Sequence, residues 1–209
     1  MHEKPGDVLL VVDVQNDFLP GGALAVRDGD AVIPLINKVA VRFPHVVLTQ
    51  DWHTPGHLSF ASSHSARAPF ETISLPYGPQ ILWPDHCVQG SVGARLADAL
   101  AIPHAALIVR KGYHREIDSY SAFCEIDGVT LTGLAGYLHE RGFRRIFLAG
   151  LATDFCVAYS AVDARKAGFD AVVIDDACRG IDTGGSLAAA WARMREAGVD
   201  RISSSDLSV

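Results

Sequence analysis

No CxxC pair joins the four cysteines of this 209-residue chain, no basic cluster is longer than a pair such as Arg144-Arg145, and no apolar run is long enough to span a membrane. Each absence removes a class of function. Cys87, Cys124, Cys156 and Cys178 are widely spaced, which excludes a zinc ribbon or a thioredoxin-like motif and suits a reducing compartment. A net charge of -6 without a basic patch argues against nucleic acid or a membrane surface as partner and leaves a small neutral or anionic ligand open. The apolar stretch from Val8 to Val12 is ended by Asp13, too soon for a signal core, so the expected location is the cytoplasm. Internal repeats, low-complexity segments and domain boundaries are also missing. With about half its residues hydrophobic, the chain can bury one core without disulfides, and a single domain over 1–209 is expected.

What recurs is a short apolar run rich in Val, Ile and Leu, at 7–14, 45–50, 105–111, 145–150, 171–176 and 199–203. Both faces of these runs are apolar, as in buried strands of a parallel sheet. Helical patterns lie between most of them, at 31–42, 132–141, 154–166 and 184–197, and Gly142, Gly168 and Gly198 follow the last three as helix stops. The alternation predicts an α/β fold, a three-layer sandwich with a central, mostly parallel six-stranded sheet. Two irregular stretches break the rhythm, 51–93 and 111–129, and the first is too long for a routine connection.

In an open α/β sheet, ligands bind beyond the carboxyl ends of the strands. Asp13 ends the first run, Asp51 and His53 follow the second, Lys111 ends the third, and Cys156 follows the fourth where a helix begins. Taken singly, Asp13 reads as a turn residue, Lys111 as a solvated charge on a packed stem, and each histidine as a surface residue. Independent structural uses have no reason to gather at the same ends of successive strands, so the joint placement points to a site. With Thr153 as N-cap, Cys156 falls in the first helical turn, where the helix dipole and unpaired N–H groups favour a thiolate. The same N–H groups can receive an oxyanion, and Asp13 can carry a proton between thiol, leaving group and water. Cys124 and Cys178 read as small buried hydrophobes.

The stretch "TQDWHTPGHLSF" supplies Asp51, His53 and His57, and "WPDHCVQGS" adds His86. A carboxylate with imidazoles suits zinc, iron or manganese, but this spacing matches no standard structural zinc site. Spacing alone leaves a metal site and solvent-facing histidines as equal alternatives.

Taken in order, "VVDVQNDF", "DWH", "WPDHCVQG", "RKG" and "GLATDFCV" closely resemble the nicotinamidases of the isochorismatase-like hydrolase superfamily. The resemblance implies a catalytic Asp13, Lys111 and Cys156, and one divalent metal ion per chain held by Asp51, His53 and His86, zinc before iron or manganese. His57 matches a further metal ligand present in some relatives, although its loop could equally turn it to solvent. The resemblance also implies a cis peptide at Leu151–Ala152, an oxyanion hole from the N–H groups of Ala152 and Cys156, and walls around a pyridine ring from Phe18, Leu24, Trp83 and Tyr120. The implied reaction is hydrolysis of nicotinamide to nicotinic acid and ammonia through a cysteine thioester, in NAD salvage, with pyrazinamide also accepted. A homo-oligomer is left open. Relatives acting on N-carbamoyl compounds generally lack the metal-binding histidines, and isochorismatases usually lack the cysteine. A non-catalytic metal-binding protein on the same fold would leave Asp13, Lys111 and Cys156 together without a purpose.

Overall fold

The computed structural model describes residues 4–207, so residues 1–3 and 208–209 of the expected domain lie outside the described residues. Its strands are β1 (Asp7–Val12), β2 (Val46–Asp51), β3 (Thr72–Leu75), β4 (Gly78–Ile81), β5 (Leu107–Lys111), β6 (Arg145–Leu151), β7 (Asp170–Arg179) and β8 (Asp200–Ile202). All but β3 and β4 are the apolar runs of the sequence. They form one six-stranded sheet in the order β5-β2-β1-β6-β7-β8, in which every pairing is parallel.

Burial explains why these runs pair as they do. Every residue of β1 and β2 is buried, as a central strand covered on both faces requires. The edge strand β5 instead alternates, with Val109 and Lys111 buried and Ile108 and Arg110 exposed. The helices are α1 (Val32–Ala40), α2 (Leu134–Glu140), α3 (Ala158–Lys166) and α4 (Ser186–Glu196). From β1 the chain moves outward through β2, then returns to β6 and moves outward the other way through β7. Right-handed crossovers therefore put α1 and α3 on opposite faces, which makes the three layers. Among the described residues no helix is long and apolar enough to cross a membrane.

Three details differ from the sequence reading. Strand β7 runs on to Arg179, past the acidic pair Asp175-Asp176, because both carboxylates find partners: Arg201 for Asp175, and Ser203 and Ser204 for Asp176. The stretch 51–93 is not wholly irregular, since β3 and β4 pair as an antiparallel hairpin within it. Thr153 is not the N-cap of the helix after β6. Ala152 holds that position with extended dihedrals, a π-helical turn covers Thr153–Val157, and α3 starts only at Ala158.

Candidate active site

The strand order reverses between β1 and β6, and the residues just beyond the carboxyl ends of β1, β2, β5 and β6 meet there. Lys111, the last residue of β5, is fully buried, against the solvated role a lone lysine suggested. Its Nζ lies 2.8 Å from Asp13 Oδ2, 3.1 Å from the carbonyl of Ser119 and 3.4 Å from Cys156 Sγ, and it also pairs with Asp51 Oδ1. One ammonium thus ties together three of the residues read from the sequence. Thr49 Oγ1 donates to Asp13 Oδ1 at 2.5 Å and accepts from the Asp13 N–H at 3.1 Å. This clamp holds Asp13 at φ +48, a left-handed conformation that aspartate tolerates better than most residues. Apart from its ion pair with Lys111, Asp13 Oδ2 has no hydrogen-bond partner among the described residues.

Burial sets the protonation of this cluster. It pushes the Asp13 carboxyl up, and the Lys111 charge offsets only part of the rise while Asp51 adds to it. Burial also works against a charged Lys111, yet Asp13 and Asp51 together hold its pKa well above the usual value. For Asp51, burial is outweighed, chiefly by the Lys111 charge, and its pKa falls below the ordinary carboxylate range. The Cys156 thiol is pushed well up by burial, Lys111 draws it back in part, and Asp13 and Asp51 raise it again. Burial and the two carboxylates thus oppose the thiolate that the place of Cys156 in the turn favours, while Lys111 works for it.

Asp51, His53 and His86 each offer one ligand atom, and these atoms all lie within 4.8 Å of one another. Their hydrogen bonds show which lone pairs are available. His86 Nδ1 lies 2.8 Å from the carbonyl of Pro84, to which it can only donate, so Nε2 carries the lone pair and faces Asp51 Oδ2 at 3.7 Å. Two acceptors in that relation repel, and a cation between them removes the repulsion. His53 Nε2 lies 3.3 Å from Asp118 Oδ1, while His53 Nδ1 is buried without a hydrogen-bond partner among the described residues. A carboxylate and two imidazole nitrogens, one of them buried without a partner, fit a divalent cation.

His57 is differently placed. Its Nε2 donates to the carbonyl of His114 at 2.8 Å, and its Nδ1 accepts from the Ser59 N–H at 3.1 Å. Both ring nitrogens are engaged, and although His57 sits in a second possible ligand group with His53 and Asp118, it is not in the group containing Asp51 and His86.

A narrow cleft opens over Cys156, and Phe18, Leu24, Trp83, Tyr120 and Ala152 line it together with Asp51 and His86. All four expected ring-wall residues are thus on one surface. Trp83 and Phe155 meet edge to face at 4.9 Å, and Trp83 Nε1 donates to Tyr120 Oη at 3.1 Å, which fixes both walls. The peptide between Leu151 and Ala152 is cis, as the resemblance implied. Sequence reasoning missed Phe155 and Ile181 of the lining, the Thr49 clamp, Asp118, and Gln15, whose side chain holds the Asp51 backbone by two bonds of 2.8 Å. Phe155 was findable from its place beside Cys156. Thr49 looks like any β-branched strand residue, and Asp118 like any loop aspartate.

Known proteins resemble this chain along most of its length. Residues 7–206 match the Isochorismatase domain. The nicotinamidase of Acinetobacter baylyi is 58% identical over 209 residues, covering 100% of this chain and 98% of its own. Among solved structures, the nicotinamidase/pyrazinamidase of Acinetobacter baumanii superposes with a TM-score of 0.97 at 56% identity, over 98% of this chain and 99% of that one. A pyrazinamidase of Pyrococcus horikoshii in complex with zinc gives a TM-score of 0.77 at 34% identity, over 95% of this chain and 99% of that one. Matched along nearly all of its length by the domain and by a full-length relative, the chain belongs to the isochorismatase family.

Proposed function

We propose that this chain is a nicotinamidase, an amide hydrolase that converts nicotinamide to nicotinic acid and ammonia in NAD salvage and also accepts pyrazinamide. One observation carries the reading above the others: Lys111 Nζ, fully buried, touches both Asp13 and Cys156, and Cys156 lines an aromatic cleft together with Asp51 and His86. A flat aromatic cleft suits a pyridine ring, and the thiol on its floor suits a carboxamide carbon. The whole chain, 1–209, acts as one hydrolase domain, and its free thiols support a cytoplasmic location.

The chemistry runs through the chain's own groups. Cys156 Sγ attacks the amide carbon as its proton passes to Asp13, whose raised pKa makes it a ready acceptor. The backbone N–H groups of Ala152 and Cys156 receive the oxyanion. Asp13 then gives the proton to the amide nitrogen, the C–N bond breaks, and ammonia leaves a thioester on Cys156. In the second half Asp13 takes a proton from water, hydroxide attacks the thioester, and nicotinic acid departs as Cys156 regains its proton. Lys111 keeps a positive charge beside Asp13 and the developing thiolate throughout. Phe18, Leu24, Trp83 and Tyr120 hold the ring. A divalent ion held by Asp51, His53 and His86, proposed as zinc with iron or manganese as alternatives, supplies when bound a coordination point for the ring nitrogen. His57 is left out of the ligand set because both its nitrogens are engaged.

The test is ammonia release from nicotinamide, pyrazinamide and an N-carbamoyl amino acid, with and without chelator. Turnover of the two pyridine-type amides and not of the carbamoyl compound is expected. Release from the carbamoyl compound alone would overturn the assignment.

A further inference from the structure

Gln80 is the one fully buried residue of β4, in a hairpin whose other positions are partly or wholly exposed. Its side chain reaches inward. Nε2 donates to Asp118 Oδ2 at 2.8 Å and lies 3.3 Å from Tyr120 Oη, while Oε1 accepts from Tyr77 Oη at 3.0 Å. Asp118, 1% exposed, is gripped on its other oxygen by its neighbour's backbone, since the Ser119 N–H donates to Oδ1 at 2.8 Å. The same oxygen faces His53 Nε2. A carboxylate bonded to donors on both oxygens has no freedom to turn, so it presents a fixed acceptor to the imidazole.

A fixed acceptor at Nε2 has two effects on His53. It keeps the proton on Nε2 and the lone pair on Nδ1, the buried nitrogen without a partner, and it prevents rotation of the ring. Neither Gln80 nor Asp118 is in the group formed by Asp51, His53 and His86. We propose that Asp118 and Gln80 are positioning residues for the metal centre: Asp118 sets the tautomer and orientation of His53, and Gln80, carried in by the β3–β4 hairpin, holds Asp118 in place. The proposal rests on the reading of Asp51, His53 and His86 as the ligands. It gives the hairpin a purpose that its mostly exposed surface does not suggest. Gln80 also touches Tyr120, so the same side chain braces a cleft wall.

The experiment measures zinc and cobalt(II) affinity by competition with a chromophoric chelator, on full-length wild type, His53→Ala, Gln80→Met, Asp118→Ala and Asp118→Asn. Outer partners of a ligating histidine typically change affinity by about 10- to 100-fold. Asp118→Ala should weaken both metals by at least about tenfold, and Gln80→Met by roughly three- to tenfold, as the loss of a partner's partner. Asp118→Asn keeps an oxygen acceptor for His53 Nε2–H and should recover most of the affinity lost in Asp118→Ala. Its cobalt(II) absorption spectrum should match wild type, which a merely structural role for Asp118 would not require. If wild type binds no stoichiometric metal, or His53→Ala binds as wild type does, the ligand reading fails and takes this proposal with it. If wild type binds and His53→Ala does not, yet Gln80→Met and Asp118→Ala stay within about twofold of wild type, the ligands stand and the positioning role is refuted. Should Asp118→Ala not fold, Gln80→Met decides alone.

Discussion

Replacing Lys111 by methionine removes one charge from the centre of the molecule and leaves nearly the same length of side chain behind. The lost ammonium pairs with Asp13 and Asp51, whose side chains are 0% and 5% exposed. Without it, two buried carboxylates lose the ammonium they share. Removing one partner of a buried ion pair costs about 3–5 kcal/mol. In a domain of this size each kcal/mol moves the melting temperature by about 2–4 °C, so metal-free Lys111→Met should melt roughly 6–20 °C below metal-free wild type near neutral pH. The pH dependence carries a sign. Burial already raises the Asp13 carboxyl, Lys111 restrains that rise, and removing Lys111 lifts it further. The folded variant then holds a proton that the unfolded chain releases above about pH 4, so its stability falls as pH rises through that window. The deficit against wild type should shrink as pH falls towards about 4, and adding Asp13→Asn should restore part of the loss. Calorimetry on chelator-treated protein from about pH 5 to about pH 8 measures both features. A deficit under about 2 °C, or one that widens as pH falls, would refute the account of Lys111 as the counter-charge of a buried carboxylate pair.

Cys156→Ala should abolish ammonia release while the fold survives, and brief iodoacetamide treatment of wild type, followed by peptide mapping, should label Cys156 first. Of the four cysteines, Cys156 lines the cleft and has the Lys111 ammonium 3.4 Å from its sulfur, whereas Cys87 is fully buried and Cys124 has a carboxylate, Asp163, beside its sulfur. Nicotinamide should exceed benzamide in kcat/KM by at least about 10²-fold with metal-loaded enzyme, because a site that binds a ring nitrogen rejects its C–H analogue far more strongly than one that measures size. Picolinamide should fail too, and comparable rates for nicotinamide and benzamide would mean that the ring nitrogen is not recognised. Gly112→Ala puts a methyl 3.0 Å from His53 Nε2 at a backbone φ of +68. Elemental analysis should find less metal in that variant than in wild type, and equal content would show that His53 tolerates displacement.

The sheet was legible because its central strands are covered on both faces. Val8 to Val12 and Val46 to Leu48 are buried, so the apolar pattern runs unbroken until the strand nears the site edge, at Asp13 in β1 and at Thr49, Gln50 and Asp51 in β2. The same rule made the site legible, since polar residues at successive strand ends stand out against apolar runs. What was hidden depends on pairing across the fold. The apolar run ends at Asp176, and its bonds with Ser203 and Ser204 are what let the strand go on to Arg179. Gln80 and Asp118 lie 38 positions apart in irregular sequence, and only folding joins them. The setting of Cys156 was hidden in a similar way: its place in a turn favours a thiolate, while burial and the carboxylates of Asp13 and Asp51 oppose one, and these come only from the tertiary structure.

Strand β5 has a neighbour on one side only, and such a strand is the easiest in a sheet to misalign while the chain is folding. Its alternation makes the error specific. In the native alignment Lys111 lies opposite Asp51, with Arg110 outside against the face of Trp52. A slip of one position would exchange the two, turning the lysine to solvent and driving a larger, rigid guanidinium towards the carboxylates. The charge cluster thus penalises the misaligned chain as well as organising the native one. Lys111→Met should consequently raise the yield of misfolded or aggregated protein on refolding, beyond what its lower melting temperature explains, so that the apparatus proposed for catalysis also proofreads the edge of the sheet that carries it.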